Sequence, residues 1–197
     1  MIKIFNRWET EGIKVEDVGL KRYINLRPVI VPKTSGRNIK VQFAKTKKPI
    51  VERLITRLMV PGHKSKKHRI SSGHCCGKAT NAYKIVEKAF MIIEQKTKAN
   101  PLQVFVTAIE NGAPREEINT IEYGGARYPQ AVEMSPVRRI DFSLRIMTQG
   151  AYQKAFKSKR KIEETLADEI MLAYNLDQKS SAISKKLELE RQADSAR

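Results

Sequence analysis

A chain of 197 residues with 41% hydrophobic side chains is long enough to bury one core and too apolar for a disordered tail. Its 38 Lys and Arg against 21 Asp and Glu leave a net charge of +17, and no run approaches the roughly 20 apolar residues that span a bilayer. The two cysteines, Cys75 and Cys76, are adjacent and so poor disulfide partners for each other, which argues against a disulfide scaffold and for a reducing, cytosolic setting.

The first eight residues hold no apolar run of signal-peptide type. Residues 1–47 show no clear period; 23–32 are β-branched and broken by Pro28 and Pro32, at best an edge strand or extended segment. Residues 33–48 are basic, with Ser35-Gly36 as a turn signal, and read as an arm that orders on a partner. Helical spacing begins at Pro49, with Ile50, Val51, Leu54, Ile55 and Leu58 on one stripe and Arg53 and Arg57 one turn apart on another face. Pro61-Gly62 ends that helix, and a basic loop runs to Lys78. Ala82, Ile85, Val86, Ala89, Phe90 and Ile93 predict a helix over 80–98. Asn100-Pro101 caps the next, closed by Asn111-Gly112. The period then shortens: residues 116–123 and 126–134 flank Gly124-Gly125 and predict a β-hairpin, too poor in apolar residues to stand alone. Ser135-Pro136 starts a helix that Gly150 weakens or ends, with Arg138, Asp141 and Arg145 sharing one side. A basic segment, 154–161, precedes a helix marked by Ile162, Leu166, Ile170 and Ala173, and a charged last helix starts near Ser181. The predicted fold is mainly α: a bundle-like body of five to six helices over 48–197, a protruding two-stranded hairpin arm at about 115–134, and an extended basic N-terminal region over 1–47.

The charge is segregated. Between Lys33 and Lys84 stand fourteen bases and one acid, Glu52, giving +13, and residues 127–161 add +7. A solvated face normally mixes signs, and a surface this positive repels itself unless an anion covers it. A lipid surface would call for an amphipathic insertion helix or a lipidation signal, and neither is present. Nucleic acid fits, because each neutralised phosphate releases condensed counterions. Arg outnumbers Lys on the two helices at issue, which suits bidentate phosphate contacts. Phe43, Tyr128, Tyr152 and Phe156 lie among the bases, where a ring either stacks on an unpaired base or packs in the core. The absence of helix-turn-helix, zinc-finger and basic-zipper patterns tips the choice from DNA to RNA.

Three chemical motifs fail on their details. Gly73 to Lys78 suggests a phosphate loop, but the pattern needs Gly where Ser72 stands and a hydroxyl where Ala79 stands. His63, His68, His74, Cys75 and Cys76 cluster, yet their spacing matches no zinc ligand set. Glu163, Glu164, Asp168 and Glu169 lie near a helix start, where the dipole accounts for them better than acid–base catalysis does. No enzyme activity, cofactor or metal is expected; the zinc-enzyme reading would require stoichiometric zinc in purified protein.

The run Gly124-Gly125-Ala126-Arg127-Tyr128-Pro129-Gln130-Ala131-Val132-Glu133-Met134-Ser135-Pro136-Val137-Arg138-Arg139 closely resembles the hairpin and following helix of the S-seven family of small-subunit ribosomal proteins. Ala113-Pro114-Arg115-Glu116-Glu117, Thr165-Leu166-Ala167-Asp168-Glu169-Ile170 and Asn100-Pro101-Leu102-Gln103-Val104 are similar as well, so the resemblance spans about 49–197. Gly19-Leu20-Lys21-Arg22-Tyr23-Ile24-Asn25-Leu26 looks like the archaeal branch. The resemblance implies a helical body with a β-ribbon arm and primary binding to ribosomal RNA in the head of the small subunit. It also implies neighbouring small-subunit proteins as partners, a location on the cytoplasmic ribosome, and a ribbon tip and C-terminal helix near exit-site tRNA and mRNA. The expected RNA contacts are Lys45, Lys47, Lys48, Arg53, Arg57, Lys64, Lys66, Lys67, Arg69, Lys78, Arg115, Arg138, Arg139, Arg145, Lys154, Lys157 and Lys159. The expected tip is Tyr123, Gly124, Gly125, Ala126 and Arg127. Reversing Arg138 and Arg139 to Glu is expected to abolish RNA binding with the helices intact. The rival is a free-standing DNA-compacting or regulatory protein, which predicts stable dimers and sequence-tolerant duplex binding.

Overall fold

The computed structural model describes residues 2–37, 40–61 and 77–197. In chain order the elements are α1 (Val18–Lys21), a 3-10 turn (Ala44–Lys47), α2 (Ile50–Leu58), α3 (Ala79–Thr97), α4 (Pro101–Gly112), β1 (Glu116–Tyr123), β2 (Ala126–Glu133), α5 (Pro136–Ala155), α6 (Ile162–Tyr174) and α7 (Ser181–Asp194). The mainly-α reading with one hairpin is what the molecule shows. Among the described residues the α-helices number seven rather than five or six. The addition is α1, a single turn too short for periodicity to reveal, held where the Asp17 carboxylate accepts from the Gly19 amide at 2.8 Å.

The core follows the stripes of the sequence. α2 buries Ile50, Val51, Leu54, Ile55 and Leu58, and α3 buries Ala82, Val86, Ala89, Phe90 and Ile93. The Asn100 side chain accepts from the Leu102 amide at 3.0 Å and sets the start of α4. α6 packs against α3, α4 and α5 and forms the centre of the body. The N-terminal residues take part directly. Phe5 and Trp8 stack edge-on with each other and with Phe90 at centroid distances of 5.7, 6.1 and 5.8 Å, and Phe90 meets Phe105 at 5.6 Å. Leu20 and Ile24 are buried in the same core cluster.

Two expectations need correcting. α5 does not weaken at Gly150; it runs to Ala155. The glycine is a point of close approach, where an added Cβ would lie 2.7 Å from the Ser181 Cβ, so a side chain there would force α7 away. Glu169 is also more than a helix-start acid. It is fully buried and accepts from the Ser180 hydroxyl at 3.0 Å, the Ser181 amide at 2.6 Å and the Lys154 ammonium at 2.6 Å. A carboxylate on α6 thus caps the N-terminus of α7 and is neutralised from α5.

β1 and β2 pair antiparallel from Glu116↔Glu133 to Tyr123↔Ala126. Gly124 and Gly125 have φ of 58° and 82°, the pair of positive values a two-residue type I′ turn requires. Among the described residues the ribbon is clamped at its base. Glu116 pairs with Arg197 beyond α7, and Glu117 with Arg138 on α5 at 2.7 Å. These adjacent glutamates point to opposite faces of the strand, so the two pairs grip both sides of the arm.

Candidate nucleic-acid interface

The two charge blocks of the sequence meet in space. The 3-10 turn brings Lys45, α2 brings Arg53 and Arg57, and α5 brings Arg138, Asp141 and Arg145, one helical turn apart, to a cleft of two adjoining recesses that share Arg57, Asp141 and Arg145. Asp141 sits at its middle. Its Oδ1 accepts from Arg53 Nη2 at 3.1 Å and faces Arg57 Nη2 at 3.6 Å, while its Oδ2 accepts from Lys45 Nζ at 3.2 Å. Burial opposes ionisation of Asp141, but Arg53, Lys45 and Arg57 outweigh it and hold the carboxyl below the usual aspartate range. Arg145 has no ion pair among the described residues and lies 5.2 Å over the Phe142 ring. Partial burial, then the like charges of Arg57 and Arg138, pull its pKa down.

The described part of the basic arm before α2 is tied to the body at both ends. The Glu52 carboxylate, the one acid of the block, accepts from the Thr34 amide at 2.9 Å and the Thr34 hydroxyl at 2.6 Å. Asn25 ties the arm's other end, donating to the Lys47 carbonyl at 2.7 Å while its own carbonyl accepts from the Ile50 amide at 2.9 Å. The segment after α5 is anchored too, by Tyr152 stacked on Phe156 at 5.8 Å and by the Arg160–Asp168 pair. Of the four rings among bases, Phe43, Tyr128 and Phe156 are exposed and Tyr152 half-buried, so none is a core ring.

The expected contact residues thus divide. Lys45, Lys48, Arg53, Arg57, Arg138 and Arg145 line the cleft region. Arg53 is itself buried, with 4% of its side chain exposed, and also donates to the Tyr23 carbonyl at 3.3 Å, so it builds the face rather than presenting a free charge. Arg139 is an internal strut: its guanidinium donates to Asp17 at 2.8 Å and to the Pro114 carbonyl at 3.1 Å. Reversing it would break the junction of α1 with α5, so the expected Arg138–Arg139 reversal is no clean test of the surface. Arg115 is exposed beside Arg139 and Lys186 on a separate polar recess. Lys154 is committed to Glu169. Lys47, Lys78, Lys157 and Lys159 are exposed away from the cleft centre, with Lys157 5.7 Å over Phe156. The tip, Tyr123, Gly124, Gly125, Ala126 and Arg127, is exposed throughout.

Lys64, Lys66, Lys67, Arg69 and the His63, His68, His74, Cys75 and Cys76 cluster lie outside the described residues. Among the described residues no group of His, Cys, Asp or Glu is placed to hold a metal ion, and no helix is long and apolar enough to cross a membrane. The anchoring role of the acids is what the sequence did not reveal. Glu52 and Asp141, isolated among bases in the sequence, tie the basic arm to the body, while Asp17, which stands beside Glu16, ties α1 to α5.

Residues 20–197 match the family model described as ribosomal protein S7p/S5e, a match reaching further toward the N-terminus than the motifs at 49–197. The chain is 56% identical over 196 residues to the small ribosomal subunit protein uS7 of Nanoarchaeum equitans, covering 100% of this chain and 99% of that one. It is 51% identical to the uS7 of Methanothermobacter thermautotrophicus, with both chains fully covered, and 48% identical to that of Methanosphaera stadtmanae, with 98% of each covered.

Proposed function

The chain belongs to the ribosomal protein S7p/S5e family, in its archaeal-type branch, and from that premise we propose that it is a primary binder of small-subunit ribosomal RNA that organises the head of the subunit. It is a structural ribosomal protein, not an enzyme. The helical body folds on its own core and docks Lys45, Arg57, Arg138 and Arg145 on phosphates where RNA helices converge. Positive charge screens the repulsion between those helices. Lys47, Lys48, Lys78, Arg115, Lys157 and Lys159 extend the contact beyond the cleft, and Lys64, Lys66, Lys67 and Arg69 join it from the basic loop. The hairpin tip and α7 lie near exit-site tRNA and mRNA. Neighbouring small-subunit proteins complete the surroundings on the cytoplasmic ribosome.

The observation that carries this reading is the convergence of two basic blocks, far apart in sequence, on one cleft whose cations outnumber its single carboxylate. Competition binding tests it: purified protein against a small-subunit ribosomal RNA head fragment, equal-length duplex DNA and tRNA at near-physiological salt. Strong preference for the head fragment is expected; equal affinity for all three would reduce the protein to a general polyanion binder. Arg57→Glu with Arg145→Glu is expected to weaken fragment binding at least tenfold with the helical circular dichroism unchanged. Unaltered affinity would move the face elsewhere. Trimming the tip at residues 123–127 is expected to spare fragment binding and to change tRNA retention or reading-frame fidelity.

A further inference from the structure

An acid at the centre of a phosphate-binding surface should weaken binding, since it repels the ligand the surface is built for. Asp141 stands there nonetheless, with 20% of its side chain exposed, between cations drawn from two separate segments. We propose that Asp141 is the positioning residue of this cleft: a carboxylate that holds Lys45 and Arg57 in place through the space a phosphate will share, so that the site is assembled before nucleic acid arrives. The inference rests on the RNA-binding reading above.

Three observations support it. First, Asp141 uses both oxygens on different elements, Oδ2 for Lys45 of the 3-10 turn and Oδ1 for Arg53 and Arg57 of α2. Second, Arg53 is buried with its Nε unpartnered. Burial first, with the like charge of Arg57 behind it, drives its pKa down, and Asp141 is the group that opposes them. Without the carboxylate, a buried guanidinium would face Arg57 with nothing between them, and the two would separate. Third, Lys45 and Arg57 keep 63% and 38% of their side chains exposed. They are tethered yet reachable, whereas Arg53 is the fixed post behind them. Flexible side chains held near their bound geometry lose less freedom on binding, which is the gain from preorganisation.

The two accounts of Asp141 predict opposite signs. If charge alone mattered, Asp141→Asn would bind RNA more tightly, because the net charge rises. If Asp141 positions the cations, Asp141→Asn binds the head fragment about tenfold more weakly. Its affinity for duplex DNA, which needs no particular arrangement, stays level or rises. The slope of log affinity against log salt on the fragment falls by roughly one to two, at about 0.7–0.9 for each lost contact. Equal or tighter fragment binding overturns the proposal. A parallel loss on fragment and duplex DNA overturns it too, and makes Asp141 a residue of the fold. If Asp141→Asn does not fold, a double-mutant cycle of Lys45→Gln and Arg57→Gln leaves Asp141 untouched. Cations organised by one carboxylate lose affinity non-additively, and strictly additive losses refute the role. Wild-type protein run alongside separates the two readings. No fragment preference in the wild type removes the RNA-binding reading itself. Preference retained with an indifferent Asp141→Asn removes only the positioning role.

Discussion

Single acids do much of the ordering in this molecule. Glu169 is fully buried, and its neutralisation by Lys154 joins α5, α6 and the start of α7. Lys154→Met removes the cation that pairs with the buried Glu169 carboxylate, and a loss of about 1–3 kcal/mol is expected, read as a lower melting temperature. Gly150→Ala tests the same junction sterically; overpacking against Ser181 is expected to cost about 1–3 kcal/mol. Acid titration probes the partly buried carboxylates. In Asp17, Asp141 and Asp168 burial opposes ionisation, but Arg139, Arg53 and the pair Lys96 and Arg160 respectively outweigh it, and all three lie below the ordinary range. Their stabilisation is complete above the unfolded value near about 3.9 and is lost as pH falls through the folded values. Burial drives Glu110 the other way, so its ionised form costs stability, and acidification relieves that cost. With four lowered carboxylates, counting Glu9 beside Lys3, against one raised, the melting temperature is expected to hold to about pH 5 and fall steeply below about pH 4, with a shallower fall in Asp141→Asn. These acids were hard to read in the sequence. Charge counts expose a basic block, but not which isolated Asp or Glu will be drawn inside it to anchor a strand of backbone.

At the scale of elements, the long helices and the hairpin were legible because their signals are local. Apolar spacing gave α2, α3 and α4 to within a residue or so, and Gly124-Gly125 located the turn. The N-terminal region was not legible, because what organises Phe5 and Trp8 is Phe90, some eighty positions away. Trp8→Ala is accordingly expected to destabilise the whole body by about 3–5 kcal/mol, seen as a large fall in denaturant midpoint. A fall under about 1 kcal/mol would mean that the segment merely lies on the surface. The arm behaves otherwise. Its clamps Glu116–Arg197 and Glu117–Arg138 are partly exposed pairs, worth little to global stability. Arg197→Ala is therefore expected to leave the melting temperature nearly unchanged and to accelerate amide exchange at the base of β1.

Across the whole molecule, the net charge of +17 sets the response to the medium. Self-repulsion of the cleft cations and the basic arm is screened within a Debye length of about 10 Å at 0.1 M salt. Thermal stability of the free protein is expected to rise with added salt, and to rise further with a polyanion such as heparin. A melting temperature that falls with salt would show that attractive ion pairs outweigh the repulsion. The candidate face itself was only half legible. The sequence held both basic blocks and the shared side of Arg138, Asp141 and Arg145. That α2 and α5 lay these blocks edge to edge is a property of the packed body, to which no local pattern points.

The stacking of Phe5 and Trp8 on Phe90 has a consequence in time. At about 5–20 residues per second, the 85 positions from Phe5 to Phe90 take roughly 4–17 s to synthesise. Throughout that interval the aromatic pair has nothing to close on, while most of the +13 block between Lys33 and Lys84 emerges behind it. The nascent chain is thus a polycation before it is a fold, and for those seconds its first available partners are whatever anions surround the site of synthesis.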